Sequence, residues 1–226
     1  MDVYDFVFDR LRAVRQDLVI QRLDGDGAIF IYEQTIAFLV LFGYRLCDDP
    51  NFVVKFNETH ITECFGQLIA LYADAAPRSL RLHGVGGVAR GPQSSHHRRF
   101  VRNYALFHSM HALHSLDKPD SLHNLLNRVP RRLHSKPPIS TTVGVAKAYH
   151  AGNYARFFKI LNHDIQSPLL SAVAMKHCVF MQIRALNVMR TSYWFVEKLT
   201  DLFVICLLVT AVFALGIVVA HVPWEN

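Results

Sequence analysis

Apolar residues between Phe6 and Leu23 recur at helical intervals, at Phe6, Leu11, Val14, Leu18 and Val19. Asp9, Arg10, Arg12, Arg15, Asp17 and Arg22 fall around the rest of the same turn pattern, so residues 2–23 are expected to form an amphipathic helix with that apolar stripe inward. Strand signals are weak throughout the 226 residues, and this restricts the chain to a helix-on-helix architecture.

Further helices follow. DGDG at 24–27 carries turn chemistry that ends the first one. Residues 28–46, AIFIYEQTIAFLVLFGYRL, are too apolar for a surface helix and are expected to be buried. Residues 57–76 are predicted to start at Asn57 or Thr59 and to turn Ile61, Phe65, Leu68, Ile69 and Tyr72 inward, with Pro77 closing the helix. HGVGGVARGPQSSHHRR (83–99) is a loop. Helices are expected at 100–116 and 118–129, the latter with Pro119 near its first turn and Asp120 or Ser121 as cap. PRRLHSKPP (130–138) is a basic connector, residues 141–163 form two helices divided at Gly152–Asn153, and residues 167–194 form one long helix. Successive pairs of this kind suggest an α-solenoid, in which each pair buries its apolar face on the next. Phe157, Phe158 and Ile160 or Leu161 are then expected in the core.

The net charge of +6 hides an asymmetry. Residues 1–75 carry six Lys/Arg against twelve Asp/Glu, and residues 76–226 carry eighteen against six. A basic half suits nucleic acid, an acidic protein partner or anionic lipid. Three clusters are candidates: Arg10, Arg12 and Arg15 on the exposed arc of the first helix; Arg98, Arg99 and Arg102 after the loop; and Arg128, Arg131, Arg132 and Lys136 in the connector. Phosphate contacts would need these groups on a shared surface; the alternative is a solvated basic face, and aromatic residues for base stacking are thin nearby. Asp9 and Asp17 read as structural partners for these arginines or for other helices.

Motifs for catalysis are missing. His108, His111 and His114 share faces pairwise, but the outer two are rotated apart and no H-E-x-x-H surrounds them. HGVGGVARG fits neither a phosphate-binding P-loop nor a dinucleotide fingerprint, so no cofactor is expected. Cys47, Cys64, Cys178 and Cys206 show no C-x-x-C and read as buried thiols in a reducing compartment. The segment after Met1 has no basic or apolar leader, so no signal peptide is expected.

FVFDRLRAVRQDLVIQ follows the pattern F-x-x-D-R-x-R-x-x-R-x-D-x-x-x-Q, and GNYARFFKIL stands at 152–161. Both resemble signature segments of the GANP/Sac-three family, and the ETHITECFGQLIALY and HCVFMQIRALNVM helices fit the same alignment. The resemblance covers roughly residues 3–190, and KPDSLHNLLNRVPRRLH looks most like the family's short type. It implies a helical, PCI-type array leading into a winged helix, with no catalysis. It further implies a scaffold for protein partners in nuclear mRNA export, or in centrosome duplication and spindle assembly. An upstream cysteine-proline segment and the winged helix are both missing, so a helical domain at 1–198, truncated at both ends, is expected.

Where the winged helix should follow stands LFVICLLVTAVFALGIVVA, Leu202–Ala220, without a charge. At about 1.5 Å per residue its nineteen residues reach roughly 28 Å, close to a bilayer core. Residues 199–226 are therefore a hydrophobic tail and a candidate transmembrane helix, which would make the chain a tail-anchored adaptor with a cytosolic helical domain. A buried core helix and an altered chain ending are the other readings of this run.

Overall fold

A computed structural model describes residues 2–75 and 95–191, which contain ten helices and no strand. These are α1 (Asp2–Ile20), α2 (Asp26–Arg45), α3 (Val54–Ala75), α4 (Ser95–His114), α5 (Ser121–Arg128), α6 (Arg131–His134), α7 (Ile139–His150), α8 (Tyr154–His163), α9 (Pro168–Met175) and α10 (Cys178–Thr191). The mostly helical class expected from the sequence is the class observed. The glycine-rich part of the expected loop, the expected boundary at 198–199 and the uncharged run Leu202–Ala220 lie outside the described residues. Among the described residues, 2–75 and 95–179 belong to one compact unit, and 180–191, most of α10, belong to a second.

Packing follows the helix order with one addition. The chain pairs α2 with α3 and α7 with α8, lays α1 on α2, and sets α4 against α5 and α7. The short α9 then returns to touch both α2 and α4, which fastens the first helices to the later ones beyond nearest-neighbour stacking. Ile36 and Leu39 of α2, Phe65, Leu68 and Tyr72 of α3, and Met110 and Leu113 of α4 are almost wholly buried. Each such side chain contributes about 1.5–3 kcal/mol by leaving water. A second group, Ile139, Val145, Ala146 and Phe157, fills the space around α7 and α8. Ile160 and Leu161 join it, as expected, while Phe158 is only half covered.

Several expectations need correction. The inward face of α1 is not the predicted stripe: Phe6, Val14 and Val19 are exposed, and Tyr4, Phe8, Arg15 and Leu18 are buried. With half-buried Leu11 these residues follow a 4–3–4–3 spacing, the seam that keeps one helix edge against its neighbour. Rings decide the register, because Tyr4 stacks on Phe38 (5.7 Å, 8°) and meets Phe52 edge-on (5.2 Å, 77°). Second, α3 starts at Val54, so Asn57 is not its cap but a buried side chain. Third, the long helix expected over 167–194 is interrupted at Lys176–His177, where the His177 N–H reaches back only to Ala174 O (3.0 Å) and its Nε2 donates to Leu113 O (2.8 Å). Fourth, the connector at 130–138 contains the helical turn α6; likewise residues 95–99 of the expected loop already belong to α4, and Cys47 is exposed rather than buried.

The predicted division at Gly152–Asn153 is present. Gly152 adopts φ +66°, a region open to glycine at low cost, and the Asn153 Oδ1 accepts the Arg156 N–H at 2.9 Å to cap α8.

Candidate binding surface

Buried polar side chains tie the helices together before any surface is formed. Asn57 accepts from the Tyr4 hydroxyl at 3.0 Å and donates to Leu39 O at 3.1 Å, joining α1, α3 and α2 through one amide. Gly43 makes room for it: a Cβ there would stand 2.5 Å from Asn57 Nδ2. Glu33, a buried carboxylate on α2, accepts from Tyr72 of α3 and Asn103 of α4, both at 2.7 Å. Burial, reinforced by the Glu33 carboxylate, pushes the Tyr72 hydroxyl well above its ordinary value. Both knots are absent from the sequence reading. One acid inside an otherwise apolar helix, AIFIYEQTIAFLVLF, is the signal that could have found Glu33, since a buried carboxylate needs donors.

The first candidate cluster divides. Arg10 and Arg12 are exposed, and the Arg10 guanidinium lies 5.3 Å from the Phe6 ring centre. Arg15 is not on an exposed arc; it is buried, and its Nη1 donates to Cys64 Sγ at 2.9 Å. The reason is the seam just described, which Arg15 shares with Tyr4, Phe8 and Leu18. Burial raises the Cys64 thiol to about 11 even though the Arg15 charge pulls it down, so the sulfur receives this contact as a neutral thiol.

Arg98, Arg99 and Arg102 are exposed in the first two turns of α4. Arg99 lies 5.9 Å over Phe30 and lines a cleft of about 240 Å³ with Asp26 and Glu33, a surface of mixed sign. The connector is different. Arg128, Arg131, Arg132 and Lys136 are all exposed, while Val129 and Leu133 between them are buried. Its backbone is held by the Tyr104 hydroxyl donating to Arg128 O (3.0 Å) and by His134 Nε2 donating to Val129 O (2.7 Å). Four cations therefore project from one short, pinned segment, whereas the other two clusters sit on separate helices.

His108 and His114 of α4 are buried, and His111 between them is half-buried. His108 stacks against Tyr72 and lies 4.3 Å from the Tyr104 ring centre, and His114 pairs with the Thr62 hydroxyl at 2.9 Å. Burial drives all three down, His108 to about 3, His111 to about 4 and His114 to about 3, helped by Arg128 at His108 and His111 and by Lys176 at His114. Among the described residues no three His, Cys, Asp or Glu side chains are grouped to hold a metal ion. The one described helix long and apolar enough to cross a membrane is α2, and it is packed between α1, α3 and α9.

Comparison with known proteins agrees with these signature segments. The model of the SAC3/GANP family matches residues 1–209, a range that enters the uncharged run beginning at Leu202. Protein xmas of Drosophila melanogaster is 27% identical over 191 residues, covering 84% of this chain and 8% of xmas. SAC3 family protein B of Arabidopsis thaliana is 23% identical over 192 residues, covering 81% of this chain and 10% of that protein. The chain thus spans a tenth or less of the length of these curated relatives. No solved structure matches. With the family model covering most of its length, the chain belongs to the SAC3/GANP family.

Proposed function

We propose that this chain is a non-enzymatic scaffold domain that assembles protein partners in nuclear mRNA export. The observation that carries the proposal is the family match over residues 1–209. The geometry supports it, because the buried polar groups Asn57, Glu33 and Tyr72 are spent on joining helices. In this reading the pinned connector with Arg128, Arg131, Arg132 and Lys136 presents positive charge to RNA or to an acidic partner, with Arg10, Arg12, Arg98, Arg99 and Arg102 adding to it. Arg15 serves the fold instead.

A role in centrosome duplication and spindle assembly is the finer alternative within the same family. A second reading, a tail-anchored membrane adaptor, rests on the uncharged run Leu202–Ala220. Localising the tagged chain with and without residues 199–226 separates them. Nuclear signal for both forms supports the export scaffold, and spindle-pole signal moves the role to the centrosome. Membrane signal lost on removing the tail supports the adaptor and overturns the nuclear assignment.

A further inference from the structure

Between α7 and α8 runs a cleft of about 670 Å³ whose walls carry Ser140, Thr141, Arg156, Lys159 and Asp164. Its position follows from how α8 is buried. Phe157, Ile160 and Leu161 take the core side, so Arg156 and Lys159, one turn apart, are left at the cleft. Both are exposed, and among the described residues neither has a carboxylate within ion-pairing distance. The Asn153 cap holds the first turn of α8 in place, so the Arg156 charge is presented by an ordered backbone. The floor is bare backbone at Gly144, where a Cβ would stand 3.2 Å from Ile160 Cδ1.

We propose that this cleft is a docking site for an acidic segment of a partner protein, whose carboxylates pair with Arg156 and Lys159. A guanidinium and an ammonium one turn apart suit two side-chain carboxylates, and Arg can take its carboxylate through two parallel N–H donors. Hydroxyls of Ser140 and Thr141 lie on the opposite wall as further donors. Asp164 at the rim decides between acidic ligands. A nucleic acid backbone carries a phosphate at every step and gains only from the cations it meets, so the Asp164 carboxylate repels it; a peptide can place a neutral or basic residue beside that carboxylate. The site is separate from the connector and does not depend on RNA binding there.

The test uses the full 226-residue chain and a fluorescein-labelled decaglutamate peptide at low ionic strength, read by anisotropy, with decaglutamine and a decauridylate RNA as comparisons. The double variant Arg156→Gln/Lys159→Gln is expected to weaken decaglutamate binding about fivefold or more, and Asp164→Lys to tighten it about threefold. Arg45→Gln/Lys55→Gln, at two exposed cations outside both the cleft and the connector, should leave it within about twofold. Circular dichroism confirms that each variant is folded, and Asp164→Lys supplies a gain that misfolding cannot imitate. Decaglutamate binding that ignores both cleft changes, or that falls equally with Arg45→Gln/Lys55→Gln, overturns the proposal. So does a larger loss of decauridylate than of decaglutamate in Arg156→Gln/Lys159→Gln. Failure of RNA to bind the connector would count against that reading alone.

Discussion

Acidification from pH 7 to pH 5 should remove a large part of this protein's stability, because three histidines of α4, two buried and one half-buried, resist protonation in the folded chain. Unfolded, His108, His111 and His114 titrate near 6.5; folded, burial holds them at about 3, 4 and 3, with Arg128, Lys118 and Lys176 adding to the effect. The sign follows from which state takes the proton first. Above 6.5 neither state is protonated at these sites and the full stability is present; as pH falls through 6.5 only the unfolded chain gains protons, so the equilibrium shifts towards it. At pH 5 the difference amounts to about 2 kcal/mol per histidine, about 6 kcal/mol for the three at most. A typical domain has about 5–15 kcal/mol in total. Urea unfolding followed by circular dichroism at pH 7, 6 and 5 measures the loss, and the imidazole proton shifts of the native protein report the three rings directly. A change below about 1 kcal/mol over this interval, or native rings that titrate near 6.5, would refute the burial argument.

Other perturbations test other parts of the packing. Phe157 is fully buried in the signature segment, so Phe157→Ala should lower unfolding free energy by about 3–5 kcal/mol. Asn57→Ala leaves the buried Tyr4 hydroxyl without its acceptor and should cost about 1–3 kcal/mol. Gly43→Ala should also destabilise, and by less in the Asn57→Ala background, because the obstructing amide is then gone; additive effects would deny the contact. Changing Arg128, Arg131 and Arg132 to Glu should abolish salt-sensitive RNA binding without altering the melting curve, since all three side chains are exposed. Placing Arg at Leu208 and Leu215 should cost about 2.5–3.5 kcal/mol each for membrane insertion. Carbonate extraction of wild type and variant shows whether the run enters a bilayer.

The helices were legible where apolar spacing alone decides, as at Ile61, Phe65, Leu68, Ile69 and Tyr72 of α3, all buried as expected. The division before α8 was legible because Gly152 and Asn153 each carry a local reason for it. The face of α1 was not. Two stripes compete there, and the choice went to Tyr4 and Phe8 because partner rings from α2, the α2–α3 connection and α3 meet them, a fact distant in sequence. The same choice drew Arg15 inward, against the habit that places arginine outside. The break at Lys176–His177 depended on the Leu113 carbonyl, 64 positions away. Of the described Lys and Arg residues, residue type predicted exposure for all except Arg15, but only the fold shows that the connector's four cations share one pinned segment.

The central claim, a SAC3/GANP scaffold at work in mRNA export, is tested most directly by depleting the protein from its own cells and locating poly(A) RNA by in situ hybridisation. The account predicts accumulation of poly(A) RNA in the nucleus. Re-expression of the wild-type chain should reverse it, and re-expression of the destabilised Phe157→Ala chain should not. An unchanged poly(A) distribution, with spindle-pole number or membrane organisation disturbed instead, would contradict it.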